Sequence, residues 1–506
     1  MASELIPWLK STIVAGATLT WLWAASACTL EPRYRAPALP VPDEWPLPAT
    51  TPAASALSTQ PAPSAPSAPS AQPAQLAATT APTAASDIGW RDFFLDTRLQ
   101  QLISLALANN RDLRVAVLNI DQARAQYRIQ RAALLPSIDG VGSFTREKLP
   151  SSLTYGISTP TNNVLDAGVS LTAYEVDLFG RVRSMTHSAL QKYVAQVEAR
   201  RSAQLSLIAE VANAYLTLAS DRELERLAQQ TLQSQRDSLA LEQKRHETGT
   251  VSALDLVQSQ TTVEQARVDA ARFEGQVAQD TDALALLVGT SFEAALLPAQ
   301  FDSKTTGIDP LPPGLPSAVL LRRPDVLQAE HTLRAANADI GAARAAFFPD
   351  ISLTANLGSA SYQLSNLFKS GTGTWAVEPV LSLPIFHGGA LLGGLDAAHV
   401  NEKIALAQYE KAIQSAFREV ADALALTAAL NRQSAAQESL AAATGRAYAL
   451  ATRRHAVGSD SYLEVLDSQR SDYAARQALI TTRLAEQSNR VTLYKALGGG
   501  WLEHQP

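Results

Sequence analysis

Glu464 and Asp467 stand three residues apart, a spacing that sets both carboxylates on one face of a helix. They follow Gly458, and in an earlier stretch of similar sequence Asp255 follows Gly249 in the same way. Acids on one helix face, copied around a symmetry axis, become rings of carboxylate that favour cations and narrow a pore electrostatically. A local role competes with that chemistry. Ser252 with Asp255, and Ser461 with Glu464, have capping-box spacing, and acids in a first turn complement the helix dipole. Both readings stand for Asp255 and Glu464, whereas Asp467 lies one turn further in, where capping explains less. Arg245, Arg453 and Arg454 precede the same glycines, at helix ends where positive charge is expected on dipole grounds and where a partner could dock.

Little else in the chain could do chemistry. Its seven histidines stand singly, Cys28 is its only cysteine, and neither an HExxH pair nor a Gly-rich phosphate loop occurs. No acid, base, nucleophile and metal-ligand set gathers in any one segment, so the reading is not an enzyme and implies no cofactor. A net charge of -6 over 506 residues, without a basic run, argues against a nucleic-acid partner. At the N-terminus Lys10 is followed by an apolar segment from Ser11 to Trp23 and then Ala24-Ala25-Ser26-Ala27-Cys28, which has the form of a secretory signal. Small residues running into a lone cysteine resemble a bacterial lipoprotein signal, with Cys28 acylated as the mature N-terminus. Ala25 departs from the leucine usual there, and Thr29 in place of aspartate is, by the same resemblance, what lipoproteins sent to the outer membrane carry.

The elements that would position the acids come in two copies. Arg131-Ala132-Ala133-Leu134-Leu135-Pro136 returns as Arg344-Ala345-Ala346-Phe347-Phe348-Pro349, and Gly249, Ser259-Gln260 and Gly289 return as Gly458, Ser468-Gln469 and Gly498. The offset is about 207 to 213 residues throughout, the mark of a duplicated unit. Prolines are absent from 161 to 297 and from 385 to 505. Since an interior proline costs a helix about 3 kcal/mol, long helices are expected there, over about 181–248, 252–288, 390–456 and 461–497. Val263, Ala270, Val277 and Leu284 repeat every seventh residue, interrupted by Asp280, and Leu466, Tyr473, Ile480, Gln487 and Tyr494 do so in the second copy. That is coiled-coil patterning.

Ahead of each helical pair the period changes to two, predicting strands over about 137–146 and 166–177, then 351–359 and 374–385. The organisation expected is a signal over 1–27, a lipid-anchored segment over 28–48, a Pro/Ala/Ser tether over 49–86, repeats over 87–290 and 325–498 joined by a linker over 291–324, and a tail over 499–506. After the signal no apolar run approaches the roughly 20 residues of a membrane-spanning helix. Alternating segments of about ten residues match transmembrane barrel strands, and also soluble hairpins packed on helices. Four strands cannot close a barrel and lipid does not tolerate an open edge, so copies must assemble: three chains give twelve strands, two give eight. The helices would continue the ring as a helical barrel.

Several stretches resemble the outer-membrane factor family of multidrug efflux systems, in its NodT-type lipoprotein branch. They include Tyr34-Arg35-Ala36-Pro37, Leu107-Ala108-Asn109-Asn110-Arg111-Asp112-Leu113, Glu175-Val176-Asp177-Leu178-Phe179-Gly180-Arg181 and Leu321-Arg322-Arg323-Pro324-Asp325-Val326. The resemblance implies a mixed α and β fold: a homotrimeric transmembrane β-barrel of four strands per chain, continued by a long periplasmic α-helical coiled-coil barrel. It also implies a periplasmic adaptor, an inner-membrane transporter of the resistance-nodulation-division class, outer-membrane lipid as surroundings, and small-molecule cargo conducted passively. The acids after Gly458 match that family's periplasmic constriction, Asp255 is expected to help tie helices closed, and the turns with their arginines are the expected adaptor contact. Departures from the family pattern are the long tether and His387 before Gly388-Gly389. Two alternatives stay open: the channel of a type I protein-secretion system, and a trimeric coiled-coil stalk, which would lack strand hairpins.

Overall fold

A computed structural model describes residues 29–43, 45, 88–148, 161–299, 301 and 317–504. The expected signal, Cys28 and the tether lie outside the described residues. After the extended N-terminal segment the described residues form three helices: α1 (Trp90–Phe93), α2 (Thr97–Asn109) and α3 (Arg111–Ala132). Asp96 caps α2 by accepting the Arg98 N–H at 2.9 Å, and the Asn110 side chain starts α3 by accepting that of Leu113 at 2.9 Å. Strands β1 (Ile138–Glu147) and β2 (Asn162–Glu175) follow, then helices α4 (Arg181–Glu247) and α5 (Ala253–Val288). The order then repeats as α6 (Pro324–Ala345), β3 (Asp350–Ser361), β4 (Gly373–Ser382), α7 (Ala390–Ala456) and α8 (Tyr462–Ala496). Helices α2, α3 and α6 fall where the sequence reading placed no element. Strand β4 stops at Ser382, short of the expected 385, where it pairs with Asp350, the first residue of its partner β3.

The four strands form one antiparallel sheet in the order β1-β2-β3-β4. Its register sorts side chains by chemistry. Phe144, Val169, Leu357, Trp375 and Leu381 share one face; Asp139, Asp166, Asn356 and Glu378 share the other. Among the described residues nothing lies over the apolar face, Trp375 being 77% and Phe144 62% exposed. At the centre Gly168 pairs with Gly358, and a Cβ on Gly168 would meet the Leu357 carbonyl at 2.4 Å, so this crossing accepts no side chain. No helix among the described residues is long and apolar enough to cross a membrane.

The chain divides into two compact units. One holds the sheet, α6 and the extended N-terminal segment, which is pinned along its length. Glu31 meets His187 at 2.9 Å, Asn337 donates to the Pro32 carbonyl at 2.7 Å, and the Tyr34 hydroxyl donates to Glu330 at 3.1 Å. The other unit is built on an apolar core that includes Trp90, Phe93, Phe94, Leu102, Tyr215 and Leu284, with Tyr494 stacked 3.9 Å from Phe93. Within it the seven-residue positions face inward: Val263, Leu284, Leu466, Ile480 and Gln487 are all buried.

Candidate functional site

Each long helical pair turns through a glycine. Gly249 and Gly458 adopt φ of 73° and 77°, the left-handed conformation that costs a side-chain-bearing residue energy. Both turns close identically. Gly249 N–H bonds the His246 carbonyl and Thr250 N–H that of Arg245; Gly458 N–H bonds that of His455 and Ser459 N–H that of Arg454, all at 2.9 Å. This Schellman pattern satisfies the last carbonyls of α4 and α7.

The two copies diverge in the side chains. The Ser252 hydroxyl accepts the Asp255 N–H at 3.2 Å and donates to the Asp255 carboxylate at 2.7 Å, so Asp255 is engaged at its own helix start. Ser461 makes no side-chain cap to α8, leaving Glu464 exposed beside a cleft of about 650 Å³ that is also lined by Arg454, Asp460 and Ser461. The Asp467 side chain is 75% exposed and meets Arg470, one turn on, at 3.5 Å. Glu464 and Asp467 thus both present exposed carboxylates beyond the turn.

The three arginines are placed differently. Arg454 forks onto Asp460 at 2.7 and 2.8 Å; this bond, with the Asp460 charge, raises the guanidinium pKa above its ordinary value. Arg453 is exposed and makes no ion pair among the described residues. Arg245 turns inward, 3.1 Å from Glu242 and 3.0 Å from the His455 ring. Beside this group, burial raises the Tyr462 phenol, opposed by the neighbouring Ser259 hydroxyl and reinforced by the charges of Glu242, Tyr448 and Asp255. Sequence reasoning missed Glu242, His455, Asp460 and Tyr462. The one available signal was a histidine three residues before each turn glycine, and it says nothing of what the ring meets.

A duplicated strand-hairpin and helical-hairpin unit, with an apolar sheet face uncovered among the described residues and acids beyond a turn repeated in both copies, describes an outer-membrane duct. Residues 102–290 and again 315–499 match the outer membrane efflux protein family, and the chain belongs to it. The family is one of channel-forming efflux proteins. The antibiotic efflux pump outer membrane protein ArpC of Pseudomonas putida is 46% identical over 478 residues, which cover 94% of this chain and 93% of that one. Outer membrane protein OprJ of Pseudomonas aeruginosa is 41% identical over 479 residues, 94% of each chain. Among solved structures, the open state of the Neisseria gonorrhoeae MtrE outer membrane channel aligns with a TM-score of 0.81 at 35% identity, covering 95% of this chain and all of that one.

Proposed function

We propose that three copies of this chain close into one tube, the exit duct of a tripartite efflux pump, which passes small molecules outward from an inner-membrane resistance-nodulation-division transporter and its periplasmic adaptor. The sheet carries this reading. Among the described residues it has an apolar face with nothing over it, a polar face behind that one, and two edges, β1 and β4, without partners. Lipid satisfies the first, a water-filled lumen the second and neighbouring copies the third, giving twelve strands from three chains. Acylation of Cys28 would add an anchor in the same membrane.

In this reading Glu464 and Asp467 form the periplasmic aperture. Three copies would set two acidic rings one helical turn apart, and both carboxylates are exposed. Asp255 supports the closed form less directly: its carboxylate is held by Ser252, and its charge reaches Tyr462 of the other hairpin. The Gly249 and Gly458 turns, with exposed Arg453 and the equivalent exposed leucines Leu254 and Leu463 nearby, would meet the adaptor. The pump supplies the energy; the duct supplies the path.

Native mass of the detergent-purified protein followed by planar-bilayer conductance tests this. A trimer with small, cation-preferring conductance is the expected result, and a species that never inserts removes the barrel. Asp467→Ala should raise conductance and weaken cation preference; unchanged values in that variant would remove Asp467 from the aperture.

A further inference from the structure

We propose that His455 is a pH-sensitive clasp between the two helical hairpins beside the aperture, an inference that rests on the channel reading above. The internal repeat supplies its own control. His246 and His455 hold equivalent places, and each ring sets Nδ1 3.0 Å from the carbonyl five residues on, Val251 in one turn and Asp460 in the other. In both, Nδ1 therefore donates and Nε2 is left over. The His246 ring is exposed. The Nε2 of His455 instead lies 3.0 Å from Nη1 of Arg245 and 3.5 Å from Oε1 of Glu242, both on α4.

A guanidinium has only donors, so the 3.0 Å contact requires the lone pair of a neutral imidazole. The surroundings leave little room for another charge. The Glu242 side chain is 3% exposed and already shares Oε1 with Arg245 at 3.1 Å, while its Oε2 has no hydrogen-bond partner among the described residues. On α7 itself, Arg454 is committed to Asp460. From α8 the Tyr462 ring packs 5.5 Å away, and Tyr462 in turn feels Tyr448 of α7 and, on α5, buried Ser259 and capped Asp255. Protonating Nε2 removes the acceptor Arg245 was using and sets two cations face to face with one carboxylate between them. Arg245 and His455 then stand as two cations 3.0 Å apart competing for Glu242, and their repulsion works against the approach of α4 to α7 that the neutral ring allowed. The aperture loosens as pH falls.

The test is planar-bilayer conductance of the full-length, detergent-purified trimer across histidine's titration range, from about pH 7.5 to about pH 5.5. Four proteins are compared: wild type, His455→Gln, His246→Gln and Arg245→Gln. Glutamine at 455 can still accept from Arg245 but cannot gain charge. Wild type and His246→Gln should rise at least about twofold on acidification, His455→Gln should stay flat, and Arg245→Gln should start high and stay there. The aperture acids are the same in all four proteins, so the comparison reads the substituted residues alone. A wild-type pH profile in His455→Gln, an equal loss of response in His246→Gln, or a low conductance in Arg245→Gln at neutral pH each overturns the clasp. A wild-type protein that never conducts overturns the channel reading and the clasp with it.

Discussion

Arg323 is a charge kept inside the protein, its side chain 7% exposed. Burial lowers its pKa, but the Asp325 and Glu419 carboxylates, each 2.8 Å away, outweigh that and leave the guanidinium above its ordinary value. It also donates to the Ala496 carbonyl at 2.6 Å, closing the end of α8. Arg323→Ala should lower stability by about 2 to 3 kcal/mol, less than the 3 to 5 kcal/mol of a fully buried broken pair, because the two abandoned carboxylates can regain water. The dissociation temperature of the purified assembly would register the loss, and an unchanged value would mean the cluster contributes nothing. At this scale the sequence told part of the story. Asp255 was readable as a possible cap because its serine lies three residues away. Glu242 and His455 were not readable as partners, because nothing local joins positions on α4 and α7.

Among the elements, the pairing of α4 with α5 contains an interaction that its apolar stripe disguises. Asp280 interrupts the stripe of α5, and it faces Asp221 of α4. Burial, with the hydrogen bond and charge of Asp280, pushes the Asp221 carboxyl up to about 7. The Gln276 amide donates to Oδ1 of Asp280 at 3.0 Å, while its buried Oδ2 has no other partner among the described residues, so a proton held on Asp221 is what lets the two carboxyls lie together. Since the folded-state value lies above the ordinary 3.8, the folded protein binds this proton more tightly than the unfolded one. The resulting stability is fully present below the ordinary carboxylate range and is lost as pH rises toward about 7. Asp280→Asn, which can hydrogen-bond without a shared proton, should flatten that decline. Melting temperatures of the two proteins between about pH 4 and 7 check it, and parallel curves would refute the shared proton.

For the whole molecule, the sheet's two faces make opposite demands on a new charge. Val169→Lys sets an ammonium on the apolar face and should cost roughly 2 to 4 kcal/mol of insertion if it lies near the bilayer midplane. Glu378→Lys sets the same charge on the polar face, where it should leave insertion intact and reduce cation preference. Folding into liposomes followed by reversal potentials separates the two outcomes; equal insertion of both variants would mean that lipid does not contact the face bearing Val169.

Period-two and period-seven patterns, proline-free stretches and the turn glycines Gly249 and Gly458 were legible because each reflects a local rule of backbone geometry or solvent exposure. They determined four strands, four long helices and their duplication. They did not determine α2, α3 or α6: α3 and α6 lack a clean apolar stripe, and that of α2, Leu99, Leu102, Ile103 and Ala106, is confined to a short helix that a search for long proline-free stretches passes over. Nor did they determine that Asp255 binds Ser252 while Glu464, its equivalent, stays uncapped, or that one of two equivalent histidines meets Arg245. Those outcomes depend on which distant helix packs against each position, and packing distinguishes two copies that their own sequences make nearly alike.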